Sequence, residues 1–190
     1  MLGLVLEGGT FRPIFSAGVM DALLDEDIMF PYCIGVSAGI TDGFSYASRQ
    51  KERNLKILQR YRNDKRYLGA GNLLKDKSIF GVEFVFEEIP NNLLPFDWES
   101  FARYEGDFRV GVTNAKTGQI EYLDGKELDQ KNTMVKATCA IPMVFPVVIG
   151  LMCLIGVYEM AKCVGQHKKW ALTIPMYILA ALIPMSRFFL

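Results

Sequence analysis

The sequence predicts a three-layer α/β protein with a mainly parallel sheet, and three observations support this fold class. A short apolar run at residues 2–6 leads into the glycine pair Gly8-Gly9, and a helical pattern follows. A second apolar run enters a Gly-x-Ser-x-Gly pattern centred on Ser37, after which small residues can open another helix. Two long uncharged stretches near the carboxyl end predict a hydrophobic helical tail.

The first elements form a parallel βαβ crossover. The run at residues 2–6 is short and continuous, which is typical of a central parallel strand covered on both faces. Pro13 fits the first turn of the next helix, whose apolar side chains recur at helical spacing through about Asp25. The strand before Ser37 then completes the crossover, so the glycine pair and Ser37 are expected side by side at the carboxyl edge of the sheet.

The pattern around Ser37 predicts a nucleophile elbow, a tight turn from strand to helix that exposes its serine above the sheet edge. Gly35 and Gly39 lie two residues before and two residues after Ser37, where the strand and the helix pass too close together for a larger side chain to fit. The helix that begins at Ala38 would point its amino-terminal amides toward charge developing on a bound carbonyl. Ser37 is therefore the candidate nucleophile.

Residues 8–10 permit three interpretations. A phosphate or dinucleotide loop would need a third glycine at the required spacing, or a Lys-Ser/Thr pair, and neither is present. An oxyanion hole fits, because amides at Gly8, Gly9 and Thr10 can approach a substrate oxygen with no large side chain in the way. A plain structural turn is the remaining interpretation.

Beyond the elbow, the segments carry less specific signals. Residues 51–61 predict an amphipathic helix with many basic neighbours, either a solvated surface or a docking face for anionic lipid headgroups. The aromatic-rich segments 79–89 and 96–104 are interpreted as core helices, although some rings could line an acyl-chain pocket. Residues 107–124 predict a β-hairpin that turns at Gly118.

Composition limits the class of protein. With 190 residues, 51% hydrophobic, the chain is expected to form one domain with an appendage, residues 1–150 and 151–190. The formal charge is zero, with net +3 in residues 151–190, and no nucleic-acid footprint is evident. The four single cysteines indicate reduced thiols and a cytosolic compartment, with neither metal nor cofactor implied. The amino terminus does not resemble a signal peptide.

The loop and the elbow together carry a family resemblance. Residues 7–12, Glu-Gly-Gly-Thr-Phe-Arg, followed some 25 residues later by the pattern at Ser37, resemble the paired signature of patatin-like phospholipases. The resemblance runs to about Gly150. It implies a Ser/Asp dyad, with the glycine loop and Arg12 as the oxyanion element. In this chain Thr10 stands for the family's third glycine, and Pro13 for the glycine after its arginine.

The partner of the serine is missing. Residues 138–146 resemble the stretch before the family's catalytic aspartate, but the Asp-Gly-Gly or Asp-Gly-Ala motif is absent and Asp129 is the last aspartate in the chain. Serine is a weak nucleophile until a base takes its proton. Glu159, Asp124 and His167 are the candidate substitutes, and none has convincing sequence context.

The tail and the function leave alternatives open. Residues 170–186 begin at Trp170, directly after Lys168 and Lys169. For this segment we weigh membrane insertion with the basic side in the cytosol, a buried helix, and a non-native read-through tail. The first function hypothesis is a serine lipid acyl hydrolase, impaired by the lack of the aspartate, acting on a lipid or acyl-ester substrate. The alternative is a catalytically inactive, membrane-associated lipid-binding protein.

Overall fold

The computed structural model describes residues 2–76, 78–140, 144–165 and 167–186. Contacts divide the chain into two compact units. The sheet unit comprises Met1–Leu68 and Phe80–Ala140, and the helical unit comprises Gly69–Ile79 and Ile141–Leu190. The predicted boundary at residue 150 stays a prediction. Arg187, and residues 141–143 of the stretch that resembles the family, lie outside the described residues.

The described part of the sheet unit holds four strands in the order β1 (Leu4–Leu6), β2 (Tyr32–Gly35), β3 (Asp107–Thr113) and β4 (Ile120–Asp124). The first three are parallel, with Leu6 opposite Gly35, and β4 runs antiparallel to β3. The predicted crossover and β-hairpin are therefore confirmed. The covering of β1 on both faces is wrong, because β1 is an edge strand of the described sheet and Val5 is 79% exposed.

The helices of the sheet unit follow from local signals. They are α1 (Ile14–Asp25), α2 (Ser37–Ala47), α3 (Arg53–Tyr61), a π-helix (Phe84–Leu93), α5 (Trp98–Ala102) and α6 (Thr133–Thr138), while α4 (Asn72–Lys75) belongs to the helical unit. Pro13 immediately precedes α1, as predicted, because its fixed φ suits a helix start. The mixed α/β class is confirmed, and the three-layer arrangement stays a prediction.

The core lies between the sheet and these helices. Leu6, Cys33 and Phe108 from the strands pack with Phe44 of α2 and Phe101 of α5. Phe108 is fully buried, and its ring centroid lies 4.6 Å from that of Phe44. Phe101 belongs to the aromatic-rich segment 96–104, and its burial supports the interpretation of that segment as a core element.

Basic side chains around α3 are largely paired. Arg49 forms an ion pair with Asp27 at 2.6 Å, and Lys51 forms one with Asp25. These pairs are exposed, and pairs of this kind contribute about 0 to 1 kcal/mol. They are consistent with a solvated surface, and the docking interpretation stays a prediction.

The helical unit contains two long helices, α7 (Val144–Cys163) and α8 (Trp170–Ser186), which pack against each other. No helix in the described ranges combines the length and apolarity needed to cross a bilayer. Membrane insertion of residues 170–186 is therefore not supported by the described helices and stays a prediction.

Candidate active site

Ser37 lies at the turn between β2 and α2 in a strained conformation. Val36 is extended, with φ −135° and ψ 150°, and Ser37 has φ +52°, in the left-handed region. A residue other than glycine in that region costs about 1 to 3 kcal/mol, and such strain is concentrated at functional sites. The side chain is half-buried at the end of its strand. This is the geometry expected of a nucleophile elbow.

The two elbow glycines make room for β1. A methyl group on Gly35 would lie 2.8 Å from Leu6 Cβ, and one on Gly39 would lie 2.3 Å from the carbonyl oxygen of Glu7. Both separations are too short for carbon in contact with these atoms. Glycine is required because α2 crosses directly over the end of β1.

The glycine loop lies against the serine. A methyl group on Gly8 would lie 3.0 Å from Ser37 Cβ, so the loop and the elbow are in contact. In the part of the chain that the structure describes, the amides of Gly8, Gly9 and Thr10 donate no hydrogen bond. Thr10 has φ +58°, a strained conformation that the family's glycine would adopt freely. Three uncommitted amides beside a serine can bind an oxyanion.

Arg12 folds back over this loop. Its guanidinium forms an ion pair with Glu7 at 2.7 Å and donates to the carbonyl oxygen of Gly8 at 3.3 Å. Both charged side chains are at least three-quarters exposed, so the pair adds little to stability. Arg12 therefore binds a carbonyl group of the glycine loop and does not occupy the amides of that loop.

Two residues at the end of α6 lie beside Ser37. The hydroxyl of Thr138 accepts a hydrogen bond from the Ser37 amide at 2.9 Å, and the Cys139 thiol lies close enough to the Ser37 side chain to influence its own pKa. Burial raises the pKa of Cys139 to about 12, although the nearby Ser37 side chain opposes this shift. The thiol is thus neutral at pH 7 and cannot take the serine proton. Sequence analysis placed both residues in the family-like stretch without assigning them a role.

Of the candidate partners, Asp124 lies in the sheet unit together with Ser37. Asp124 lies opposite Arg109, which lies opposite Ile34, so it is two strands from β2, about 10 Å away, and at a level before the elbow. Its carboxylate accepts a hydrogen bond from the Lys126 amide at 3.0 Å. This register gives Asp124 no contact with the elbow, and its role as the partner stays a prediction. Glu159 and His167 belong to the helical unit and stay predictions.

Sequence analysis also missed a buried acid on α2. Asp42 is 6% exposed, and among the residues that the structure describes its Oδ2 has no hydrogen-bond partner. Burial, assisted by the nearby charge of Asp21, raises the pKa of Asp42 to about 8. The sequence signal that could have indicated this buried acid is the position of Asp42 among apolar and small residues in the helical pattern after the elbow.

The described residues hold no group of three or more His, Cys, Asp or Glu side chains arranged to bind a metal ion. The four cysteines are all free thiols, as the sequence predicted.

Comparison with known proteins places this site in a family. No curated protein sequence and no solved structure matches the chain significantly. A family model described as patatin-like phospholipase matches residues 4–150, which cover β1, the glycine loop, the elbow and α6. More than half of the chain is matched, and it therefore belongs to the patatin-like phospholipase family.

Proposed function

We propose that this chain is a serine acyl hydrolase of lipid esters that uses Ser37 as its nucleophile and reacts slowly. Membership of a phospholipase family supports the substrate class. The observation that carries the proposal is the contact between the strained Ser37 and a loop whose three amides are uncommitted. Gly35 and Gly39 allow the close packing that this contact requires.

The proposed reaction proceeds in two stages. Ser37 Oγ forms a bond to the ester carbonyl carbon, and the negative charge on the carbonyl oxygen is held by the amides of Gly8, Gly9 and Thr10. The ester bond then breaks, and the serine proton ends on the departing alcohol. Water attacks the acyl-enzyme, releases a carboxylic acid and restores the serine.

The slowness follows from the group that lies beside the serine. A general base contributes about a hundred- to ten-thousand-fold to such reactions. The titratable side chain described beside Ser37 is the Cys139 thiol, whose raised pKa of about 12 keeps it protonated at pH 7, so that it cannot accept the serine proton. Oxyanion donors and substrate positioning alone retain roughly a thousand-fold over the uncatalysed rate.

An acylating or phosphonylating probe tests the nucleophile. The full-length chain should be labelled by a fluorophosphonate at Ser37, and Ser37→Ala should abolish the labelling. Ser16→Ala, on α1, is the matched control and should label like the wild type. Equal labelling of the wild type and Ser37→Ala would overturn the proposal.

A second function, lipid binding without turnover, is favoured by the surface of the helical unit. Large apolar side chains on α7 and α8 are exposed, including Leu151 at 56%, Trp170 at 74% and Leu179 at 58%. An apolar groove of about 460 Å³ lies between the two helices and is lined by Met160, Val164, Leu172 and Met176. The adjacent Lys168 and Lys169 would favour an anionic lipid surface.

Vesicle sedimentation tests this second function. The full-length chain should sediment with vesicles that contain phosphatidylserine, and the double change Lys168→Gln and Lys169→Gln should weaken this binding by about thirtyfold, at roughly 1 kcal/mol per lysine. The paired control is Lys116→Gln with Lys126→Gln in the sheet unit. Wild-type binding by the lysine variant, or failure of the wild type to sediment, would contradict it.

A further inference from the structure

A single hydroxyl on α6 connects the elbow to the sheet. Thr138 Oγ1 accepts a hydrogen bond from the Ser37 amide at 2.9 Å and donates one to the carbonyl oxygen of Gly111 on β3 at 2.6 Å. Thr138 is 101 residues from Ser37 in sequence. One side chain therefore joins the end of α6, the start of α2 and the third strand.

The Ser37 amide needs a partner that its own segment does not supply. Ser37 is the first residue of α2, and the first amides of a helix have no acceptor within the helix. A polar N-cap side chain would accept from the amide of the second or third helical residue and not from that of the first, and the N-cap here is Val36, whose side chain makes no capping bond. Thr138 supplies the missing acceptor from a distant part of the chain.

The geometry around Gly111 holds this hydroxyl in place. Because Thr138 donates to the Gly111 carbonyl oxygen, its lone pairs are directed toward the Ser37 amide. A methyl group on Gly111 would lie 2.6 Å from Val36 Cγ1, so the lack of a side chain at this position of β3 leaves room for the elbow. The hydroxyl is therefore positioned by the sheet and not by α6 alone.

We propose that Thr138 is a positioning residue for the Ser37 nucleophile. Its hydroxyl fixes the backbone of Ser37 in the left-handed conformation that faces the side chain toward the glycine loop. It also commits the Ser37 amide, so the oxyanion is bound by the amides of Gly8, Gly9 and Thr10 and not by the serine's own N–H. This inference rests on the proposed role of Ser37.

Three variants of the full-length chain test the inference. Thr138→Val keeps the shape and removes the hydroxyl, whereas Thr138→Ser keeps the hydroxyl. Thr133→Val is the matched control, because Thr133 lies on the same helix and its hydroxyl bonds Asp129 at 2.9 Å, away from the elbow. Each is measured by the rate of fluorophosphonate labelling at Ser37 and by the exchange rate of the Ser37 amide.

Thr138→Val is expected to slow labelling by about ten- to a hundred-fold, the usual effect of a small misplacement of a reacting group. Its Ser37 amide should exchange about tenfold faster, because the only acceptor described for it has been removed. Thr138→Ser should stay within about threefold of the wild type in both measurements, and Thr133→Val should match the wild type.

Wild-type labelling by folded Thr138→Val, or equal losses in the valine and serine variants, would overturn the inference. If the valine variant does not fold, amide exchange in the wild type decides: a protected Ser37 amide supports the inference and a rapidly exchanging one overturns it. If the wild type is not labelled at Ser37, the proposed function fails, while amide exchange still tests the Thr138 contact by itself.

Discussion

At Ser37 the neighbouring titratable side chain is the Cys139 thiol, whereas the family resemblance implies an aspartate as the partner of the serine. A carboxylate that is ionised at neutral pH can accept the serine proton, whereas a buried thiol with a pKa of about 12 cannot. The elbow strain and the loop amides do not compensate for this, because in the proposed mechanism they position the nucleophile and bind the oxyanion without moving a proton. We therefore expect the identity of residue 139 to influence the rate.

Cys139→Asp is expected to raise turnover of an activated ester by about ten- to a hundred-fold, the lower part of the range for a general base. The gain should increase with pH, because the new carboxyl must lose its proton before it can act. Initial rates between pH 5 and pH 9 measure this. Cys139→Asn, which has the same shape and no charge, is the control. A folded Cys139→Asp that still labels at Ser37 but shows no gain would contradict the prediction.

Asp42 should make the stability of the fold depend on pH. Its pKa is raised from 3.8 to about 8, so the folded chain holds this proton where the unfolded chain has lost it. The free energy of unfolding should therefore be highest below about pH 4 for this group and fall as pH rises to about 8, by about 2 to 5 kcal/mol. Other ionisable groups contribute their own pH dependence to the free energy of unfolding.

Asp42→Asn removes this dependence and should stabilise the chain at pH 8 far more than at pH 5. Urea unfolding of both proteins at the two pH values gives the comparison. An asparagine variant with the same difference between pH 5 and pH 8 as the wild type would show that Asp42 does not titrate in this range.

At the scale of elements, the site depends on how closely α2 approaches β1. Gly39→Ala would place a methyl group 2.3 Å from the Glu7 carbonyl oxygen, and this backbone atom cannot move without shifting the glycine loop. We expect a loss of about 2 kcal/mol in the free energy of unfolding and a loss of Ser37 labelling. Gly18→Ala on α1, with no atom within 4 Å of the new methyl, is the control and should stabilise by up to about 1 kcal/mol. Equal effects of the two changes would contradict this account.

The elements that the sequence predicted well are those with local signals. The run before Gly8, the helix after Pro13 and the pattern at Ser37 each contain their own start and stop residues. The edge position of β1 was missed, because an apolar run does not reveal how many neighbours a strand has. The positions of Thr138 and Cys139 beside Ser37 were missed because these residues are about a hundred positions from Ser37 in sequence, and only the folded chain brings them together.

At the scale of the whole molecule, the chain combines a sheet unit that carries the elbow with a helical unit that follows it. The sheet unit contains the proposed nucleophile and the amides proposed for the oxyanion. The candidate partners Glu159 and His167 lie in the helical unit. The reactivity that we expect of the chain is that of a nucleophile with an oxyanion site and without an effective base.

Such a chain should distinguish esters by their leaving groups. An activated aryl ester releases a stable phenolate without needing a proton, so nucleophile and oxyanion donors suffice for slow turnover. A phospholipid releases an alkoxide, which must be protonated as it departs, and the same missing group that should activate the serine should also supply this proton. We expect detectable hydrolysis of a nitrophenyl ester that Ser37→Ala abolishes, at roughly a thousand-fold over the uncatalysed rate, and no measurable hydrolysis of phospholipid vesicles.

Turnover of both substrates by the wild type and Ser37→Ala measures this difference, with Glu159→Gln, Asp124→Asn and His167→Asn as further variants. Robust phospholipid hydrolysis that disappears in Ser37→Ala would contradict the prediction, because it would require a working base. Whichever further variant also lost that hydrolysis would then identify the base. Loss in Asp124→Asn would be the least expected outcome, since the register of β4 places Asp124 two strands from β2, at the level of Ile34 and therefore before the elbow.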